Sequence, residues 1–176
     1  MKVYCLQNGK YLGVSYFTNV KNIKWLKDNM ASIFKDKTPV LIRRRLIVDP
    51  FQIVVAVNNA YLSSENSCMK TKSLANEILF NLSGTKNITR SLKDTSANDQ
   101  DDDMIVALIS KFSNVPEMKI FQEKCITGCE TDISELTESI DENYIKSYYK
   151  ISQIESVNSS LLDSIVTRIA CKILTL

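Results

Sequence analysis

The sequence predicts a mixed α/β fold in which several helices pack on a β-sheet. Two patterns predict it: an alternating apolar hairpin near the N-terminus and helical spacing of apolar residues over much of the remaining chain. The 176 residues are 44% apolar and 24% charged, which is typical of a globular domain with a core of its own. We therefore expect a single domain over residues 1–176, with a long amphipathic helix at its C-terminus.

The first predicted elements are a β-hairpin and a helix. The runs VYCL and YLGVSYFT flank QNGK, and an Asn-Gly pair between alternating apolar runs favours two antiparallel strands. Asn22 then begins NIKWLKDNMASIF, whose apolar residues recur at helical spacing as far as the polar segment KDKTP.

Residues 49–52 carry the start signals of a second helix. The run VLIRRRLIVD predicts a β-rich segment that stops at Asp49 and Pro50. Asp49 can cap a helix, Pro50 suits its first position, and Gln52 occupies the capping-box position. The run FQIVVAVNNAYL that follows is apolar almost all round, so we expect this helix to be central.

The stretch KTKSLANEILFNLSG, residues 70–84, predicts a third helix with two lysines at its start. Its apolar residues form one stripe, Phe80 points away from that stripe, and Gly84 fits a left-handed stop. A short helix around residues 88–92, the acidic loop DTSANDQDDD and the β-rich run MIVALISKF come next. Residues 116–149 predict short helical pieces, and SVNSSLLDSIVTRIACKIL predicts one long amphipathic helix.

Charge is distributed unevenly along the chain. Residues 1–50 carry ten basic and three acidic side chains, whereas residues 101–150 carry five basic and eleven acidic ones. If the two segments lie on different surfaces, the first can face a polyanion such as RNA, because Lys and Arg displace counterions from phosphates. A merely solvated charged surface is the alternative.

The residue types argue against catalysis. The chain has no histidine, and so lacks the usual general base and the commonest metal ligand. Cys125 and Cys129 have no second pair at zinc-site spacing, and the four glycines do not form a phosphate-binding loop. We expect no enzyme activity, no metal and no cofactor.

The same sequence predicts no membrane segment. No apolar run approaches the roughly 20 residues that span a bilayer. The five scattered cysteines favour reduced thiols over a disulfide framework. We therefore expect an intracellular protein.

Three segments of the chain resemble the PRPK-binding protein (TPRKB) family, the small kinase-binding subunits of the EKC/KEOPS complex. The segments are LIVDPFQIVVAVNNAY, CMKTKSLANEILFNLSGTKNI and SLLDSIVTRIACKIL. The resemblance covers nearly the whole chain and is densest over residues 46–93. Two features depart from the family pattern, namely the basic run Arg43–Arg45 and the acidic loop DTSANDQDDD.

The resemblance implies a non-catalytic subunit that binds a small atypical kinase of the PRPK type. Such a subunit supports the kinase's ATPase activity and reaches the other EKC/KEOPS subunits through the kinase. It also helps hold tRNA near the 3′ CCA end while the complex completes the threonylcarbamoyladenosine (t6A) modification. The resemblance also implies residence in the cytoplasm and nucleus. The alternative is a stand-alone RNA-binding domain without a kinase partner.

The resemblance makes the C-terminal helix the candidate kinase surface, and its apolar arc is broad enough to serve a partner in addition to the core. Val157, Leu161, Ile165 and Ile169 form one line, and Leu162, Val166 and Ile173 lie beside it. We assign kinase binding to Leu161, Ile165, Arg168 and Ile169. The alternative is that the core uses the whole arc.

The ends of the third helix are the candidate tRNA surface. A helix N-terminus favours phosphate, and nearby lysines add positive charge. We assign tRNA binding to Lys70, Lys72, Lys86, Asn87 and Arg90. Phe80 or Tyr61 is the candidate platform for stacking an unpaired base. Ordinary surface lysines are the alternative.

Overall fold

The computed structural model describes residues 1–7, 9–34, 39–137 and 140–172. Asn8 of the predicted hairpin turn and Ile173 of the predicted last helix lie outside these ranges. The described residues form a five-stranded sheet and several α-helices, which confirms the mixed α/β fold class. The chain divides into two compact units, one from residues 1–44 and 96–136 and the other from residues 45–95 and from 137 onward. The single-domain organisation stays a prediction.

Strands and helices are numbered separately, each in chain order. The strands are β1 (Lys2–Cys5), β2 (Tyr11–Thr18), β3 (Val40–Ile42), β4 (Met104–Ser110) and β5 (Cys129–Thr131). The helices are α1 (Ile23–Phe34), α2 (Phe51–Glu65), α3 (Leu74–Leu82), α4 (Ile88–Thr95), α5 (Pro116–Lys124), α6 (Glu142–Tyr149), α7 (Gln153–Asn158) and α8 (Leu161–Cys171). Within the described ranges, 3-10 turns cover Arg44–Leu46 and Ile133–Thr137.

The first unit is built on the antiparallel sheet. Its strand order is β1-β2-β4-β3, and β5 also pairs with β2. β1 and β2 form the predicted hairpin, with Cys5 opposite Tyr11. A core of buried side chains from β2, β4, α1 and α5 covers one side, where the rings of Phe17 and Phe121 meet edge-on at 5.8 Å. Burial of such aromatic pairs is a large contribution to core stability.

The second unit surrounds α2, as its apolar sequence predicts. Helices α3 and α8 both pack on α2. The predicted start signals act as expected, because the Asp49 carboxylate accepts the Phe51 N–H at 2.7 Å. The Gln52 side chain, in turn, accepts the N–H groups of Val48 and Asp49 at 2.6 and 3.0 Å. These bonds satisfy donors that a helix N-terminus leaves unpaired.

Two sequence expectations about elements are wrong in extent. Only Val40–Ile42 of the β-rich segment is a strand, and Arg44–Leu46 is a 3-10 turn. The predicted long C-terminal helix is two helices, because Ser159 is extended and Ser160 caps α8. The Ser160 hydroxyl accepts the Asp163 N–H at 3.0 Å and donates to the Asp163 carboxylate at 2.7 Å.

Basic and acidic segments that differ along the sequence meet within the first unit. Lys27 lies 2.8 Å from Asp99, and the Arg43 guanidinium lies 3.1 Å from Asp101. Arg44 donates to the Leu136 carbonyl at 3.0 Å. Carboxylates of the chain therefore already pair with two of these basic side chains. A polyanion-binding surface in residues 1–50 stays a prediction.

The Phe17–Phe121 contact gives the first prediction. Phe121→Ala should lower the free energy of unfolding by about 3–5 kcal/mol, because the ring is fully buried and its removal leaves a cavity. Phe112→Ala is the matched control, since that ring is 60% exposed. Chemical denaturation of both variants measures the difference, and equal losses would contradict the assigned core.

Candidate nucleic-acid and protein interfaces

Helix α3 ends in the interior of the second unit, where side chains from other helices hold its last carbonyl groups. The Thr95 hydroxyl of α4 donates to the Leu79 carbonyl at 3.0 Å. The Tyr149 hydroxyl of α6 donates to the Leu82 carbonyl at 2.7 Å. A helix leaves its final carbonyls without partners inside the helix, and burial makes an unpaired one costly. These hydroxyls remove that cost.

Lys172 completes the cap of α3 from the end of α8. Its side chain is buried, and its ammonium donates to the Phe80 carbonyl and to the carbonyl and hydroxyl of Ser83, the latter two at 2.9 and 2.7 Å. The ammonium lies 3.9 Å from the centroid of the Phe80 ring. Burial lowers the pKa of Lys172 to about 7, although the Glu77 carboxylate opposes the shift. A cation at this end also complements the helix dipole.

Near the N-terminal end of α3, a buried carboxylate of the helix binds backbone N–H groups. Glu77 is 2% exposed, and its carboxylate accepts the N–H groups of Lys70 and Thr71, at 3.1 and 2.8 Å for one oxygen. The Ser73 hydroxyl accepts the Asn76 N–H. The helix begins at Leu74, so Lys70 and Lys72 precede it, as the sequence analysis expected. The sequence analysis expected free amides here for a phosphate, but the N–H groups of Lys70, Thr71 and Asn76 already have acceptors within the chain.

The structure separates the five predicted tRNA-binding residues into two groups. Lys70 and Lys72 are exposed before α3, whereas Lys86, Asn87 and Arg90 are exposed after it. The nine-residue helix between them is roughly 13 Å long. Asn87 caps α4 by accepting the Arg90 N–H at 2.9 Å. Only Lys86 and Arg90 of the five line the cleft described next.

A cleft of about 610 Å3 lies between the 84–86 turn, α4 and α6. Its volume falls within the roughly 300–1,000 Å3 of small-molecule sites. Lys86, Arg90 and Lys150 contribute cations, whereas Asp94 contributes one carboxylate, 3.5 Å from Arg90. Its remaining lining residues are Gly84, Thr85, Tyr144, Ser147 and Tyr148. The excess of cations makes the cleft suited to an anionic ligand.

Two tyrosines of α6 give the cleft an aromatic side. The rings of Tyr144 and Tyr148 are nearly parallel, with centroids 6.4 Å apart. The Arg45 guanidinium lies 3.7 Å from the Tyr144 centroid, as in a cation–π contact. Burial raises the pKa of Tyr148, and the neighbouring Asp94 adds to this shift, so its hydroxyl is neutral near pH 7.

The sequence analysis did not find this aromatic side. Phe80 is 1% exposed and packs under Lys172, which excludes it as a stacking platform. Tyr61 is half-buried on α2 and does not line the cleft. The available signal was the spacing of four between Tyr144 and Tyr148, which places both side chains on one helical face.

Gly84 allows the turn after α3 to approach α6 closely. A Cβ at this position would lie 2.9 Å from the Tyr148 carbonyl oxygen and 3.4 Å from the Tyr149 Cα. The predicted left-handed stop is wrong, because Gly84 has no positive φ and Ser83 before it is extended. The glycine is needed for space rather than for backbone conformation.

The predicted kinase-binding residues of α8 occupy different environments. Ile165 and Ile169 are 0% and 1% exposed, and α8 packs on α2. This differs from the expectation that both contact a partner directly, because the interior of the unit already uses their side chains. Leu161 is half-buried. The half-buried Leu162 and Val166 lie on the same helix.

Arg168 joins α8 to α7. Its guanidinium donates to both carboxylate oxygens of Glu155, at 2.7 Å for one of them. It also donates to the carbonyls of Ser164 and Lys150, at 3.0 and 3.1 Å. The Arg168 hydrogen bonds hold the pKa of Glu155 well below its usual range, at about 2. The side chain that was predicted to contact the kinase therefore positions α7.

Among the described residues, helix α7 carries the two most exposed large apolar side chains. Ile154 is 78% and Val157 85% exposed, and no residue of α7 is buried. The two positions are three residues apart and so lie on one face of the helix. An apolar helix face without burial in its own chain is suited to a protein partner.

The described residues show neither a metal cluster nor a membrane helix. No group of three or more His, Cys, Asp or Glu side chains in the described ranges is placed to hold a metal ion. Across the same residues, no helix combines the length and apolar character needed to cross a bilayer.

Fold and surfaces together define a mixed α/β protein with separate apolar and cationic binding candidates. The model of the family described as kinase binding protein CGI-121 matches residues 17–173, and the chain belongs to that family. The Danio rerio protein named EKC/KEOPS complex subunit TPRKB is 33% identical over 156 residues, which cover 89% of this chain and 87% of the relative. The Yarrowia lipolytica protein named EKC/KEOPS complex subunit CGI121 is 29% identical over 98 residues, 56% of this chain and 58% of the relative. These matches confirm the family resemblance read from the sequence.

The Glu155–Arg168 pair predicts how α7 responds to acid. Because the folded pKa of Glu155 lies below its ordinary value of about 4.5, the ionised carboxylate stabilises the fold above pH 4.5. That contribution should diminish as the pH falls from 4.5 towards 2. Denaturation of the wild type and Glu155→Gln should therefore differ more at pH 6 than at pH 2.5.

Glu142→Gln is the control for this measurement. Glu142 pairs with Lys146 within α6 and its side chain is 62% exposed, so its removal should have a small effect at either pH. A Glu155→Gln difference that is the same at pH 6 and 2.5 would contradict a stabilising carboxylate.

Proposed function

We propose that this chain is a non-catalytic subunit of an EKC/KEOPS complex that binds a small atypical kinase of the PRPK type. In this proposal it supports the ATPase activity of the kinase, meets the other subunits through it and helps recruit tRNA for t6A modification in the cytoplasm and nucleus. Membership of the kinase-binding family and the names of the two relatives support the complex and the kinase as partners.

The exposed apolar face of α7 is the observation that carries the kinase-binding proposal. Ile154 and Val157 present this face, and the half-buried Leu161 begins α8 after two serines. We define these three residues as the docking patch. Buried apolar anchors supply much of the binding energy at protein interfaces. Ile165, Ile169 and Arg168 support the patch by fixing α8 and α7.

The docking patch gives a prediction for kinase binding. Ile154→Glu with Val157→Glu should weaken kinase binding more than tenfold, because two carboxylates would have to be desolvated in the interface. Titration calorimetry with the purified kinase measures the loss, and circular dichroism checks the fold. Ile165→Glu is unsuitable for this purpose, since it places a charge in the core.

Phe112→Glu is the matched control for the docking patch. Its ring is 60% exposed and lies on the other unit, so the change adds a carboxylate to an exposed apolar position elsewhere. Unchanged kinase affinity in the folded α7 variant, or equal losses in the variant and its control, would exclude the patch as the docking site.

The cationic cleft supports the proposal that the chain contributes to tRNA binding. Lys86, Arg90 and Lys150 can contact phosphates, and the rings of Tyr144 and Tyr148 line the cleft where unpaired bases could meet them. Unpaired nucleotides are found at the 3′ CCA end of tRNA, which the family resemblance implies as the contact. Lys70 and Lys72 lie outside the cleft, and in this proposal they make at most backbone contacts.

The cleft gives a prediction for tRNA binding. Lys86→Glu with Arg90→Glu should weaken tRNA binding about tenfold or more and reduce the magnitude of its salt slope by roughly 1.5, because two phosphate contacts are lost. Filter binding between 50 and 250 mM salt measures both quantities. Lys70→Glu with Lys72→Glu makes the same change in charge outside the cleft and should have the smaller effect. Equal effects of the two double variants would show that net charge, and not the cleft, determines binding.

A stand-alone RNA-binding protein is the alternative function. It accounts for the cleft, but it gives no role to the exposed apolar face of α7. A kinase that fails to bind the wild-type chain while tRNA binds through the cleft would favour this alternative.

A further inference from the structure

We infer that Lys172 is a positioning residue that couples helix α8 to the wall of the cationic cleft. The inference rests on the proposed binding of nucleic acid in the cleft. Lys172 itself is buried and does not line the cleft, so any effect on a ligand passes through the residues that it holds.

A chain of hydrogen bonds connects Lys172 to the cleft wall. The Lys172 ammonium donates to the Ser83 hydroxyl at 2.7 Å, and that hydroxyl lies 3.0 Å from the Thr85 carbonyl. The Ser91 hydroxyl lies 2.6 Å from the Ser83 hydroxyl and 3.1 Å from the same Thr85 carbonyl. Thr85 and Lys86 form one wall of the cleft. The position of the wall therefore depends on a buried network that starts at Lys172.

The other end of this connection is α8. Lys172 follows the last residue of α8, and the Asn59 side chain of α2 donates to the Ile169 carbonyl of α8 at 2.7 Å. The C-terminal end of α8 is thus fixed in the interior, while α7 and the start of α8 carry the docking patch. A shift of α8 along α2 would move the ammonium away from Ser83 and release the wall.

The charge state of Lys172 determines how many of its contacts can form. An ammonium has three N–H donors and a neutral amine has two, so loss of the proton removes one donor from a group that contacts Phe80 and Ser83. Burial lowers the pKa of this group to about 7, and the carboxylate of Glu77 in α3 raises it in part. The chain has no histidine that would titrate in the same range. Loss of the proton should therefore loosen the wall near neutral pH.

Lys172→Met tests the inference, because methionine keeps much of the apolar stem and removes the donors. We expect the full-length variant to bind tRNA about tenfold more weakly than the wild type at pH 6. Between pH 6 and 8 the affinity of the wild type should fall towards that of the variant, whose affinity should stay nearly constant. RNA phosphodiesters keep their charge over this range, so the difference reports on the protein.

Ile53→Val controls for a general loss of stability. Ile53 is fully buried in α2, and the change should lower stability without removing a hydrogen bond of the network. Its tRNA affinity should match that of the wild type at both pH values. Ser83→Ala removes a link of the network and should weaken binding in the same direction as Lys172→Met. The double variant Lys172→Met with Ser83→Ala should lose less affinity than the product of the two single losses.

The outcomes separate this inference from the proposed function. If Lys86→Glu with Arg90→Glu leaves tRNA binding unchanged, the proposed use of the cleft is wrong. If the Lys86→Glu, Arg90→Glu double variant weakens tRNA binding whereas Lys172→Met and Ser83→Ala bind tRNA as the wild type does, tRNA binding in the cleft is supported and the coupling through Lys172 is overturned. Equal losses in Ile53→Val and Lys172→Met would also overturn it, because destabilisation alone would explain both.

Discussion

The buried C-terminal end of α3 is the constraint on which the second unit depends. A helix that ends in the interior must have its last carbonyls satisfied, and this one recruits Thr95 of α4, Tyr149 of α6 and Lys172, which follows α8. Those bonds fix the helices relative to one another within the unit. The turn at residues 84–86, which follows α3, forms a wall of the cationic cleft. Packing and the candidate binding site thus share one set of hydrogen bonds.

Charge has different uses in the two units. In the first unit, Lys27 and Arg43 meet carboxylates of the acidic loop, and the Arg43 pair joins the two features that depart from the family pattern. In the second unit, cations gather around a cleft where they outnumber the single carboxylate of Asp94. A net charge of +2 for the whole chain conceals this contrast. Surface position, rather than composition, therefore identifies the anion-binding candidate.

Local signals predicted the elements whose causes are local. The hairpin, the capping box of Asp49 and Gln52, and the apolar α2 depend on neighbouring residues, and the structure agrees with each. Helical spacing also predicted correctly that Ile165 and Ile169 lie on one apolar face of α8. The spacing did not show what this face contacts, because Ile165 and Ile169 could face either the core or a partner until the position of α2 was known.

The missed features depend on contacts between distant parts of the chain. Gly84 and Tyr148 meet across more than sixty residues, so no local pattern indicates that the glycine is required for space. Lys172 resembles an ordinary terminal lysine until its partners at Phe80 and Ser83 are known. The break at Ser160 was readable as a cap, but the apolar residues on both sides of it favoured a continuous helix.

Helix α7 has a further consequence for how a complex would form. It buries none of its side chains and is tied to its neighbour chiefly by the Glu155–Arg168 pair, so local opening should cost it far less free energy than opening of α2. A segment of this kind can adjust its angle while a partner settles against it, and the interior of the unit stays intact. Partner surfaces that differ slightly in shape can then be accommodated by one short helix.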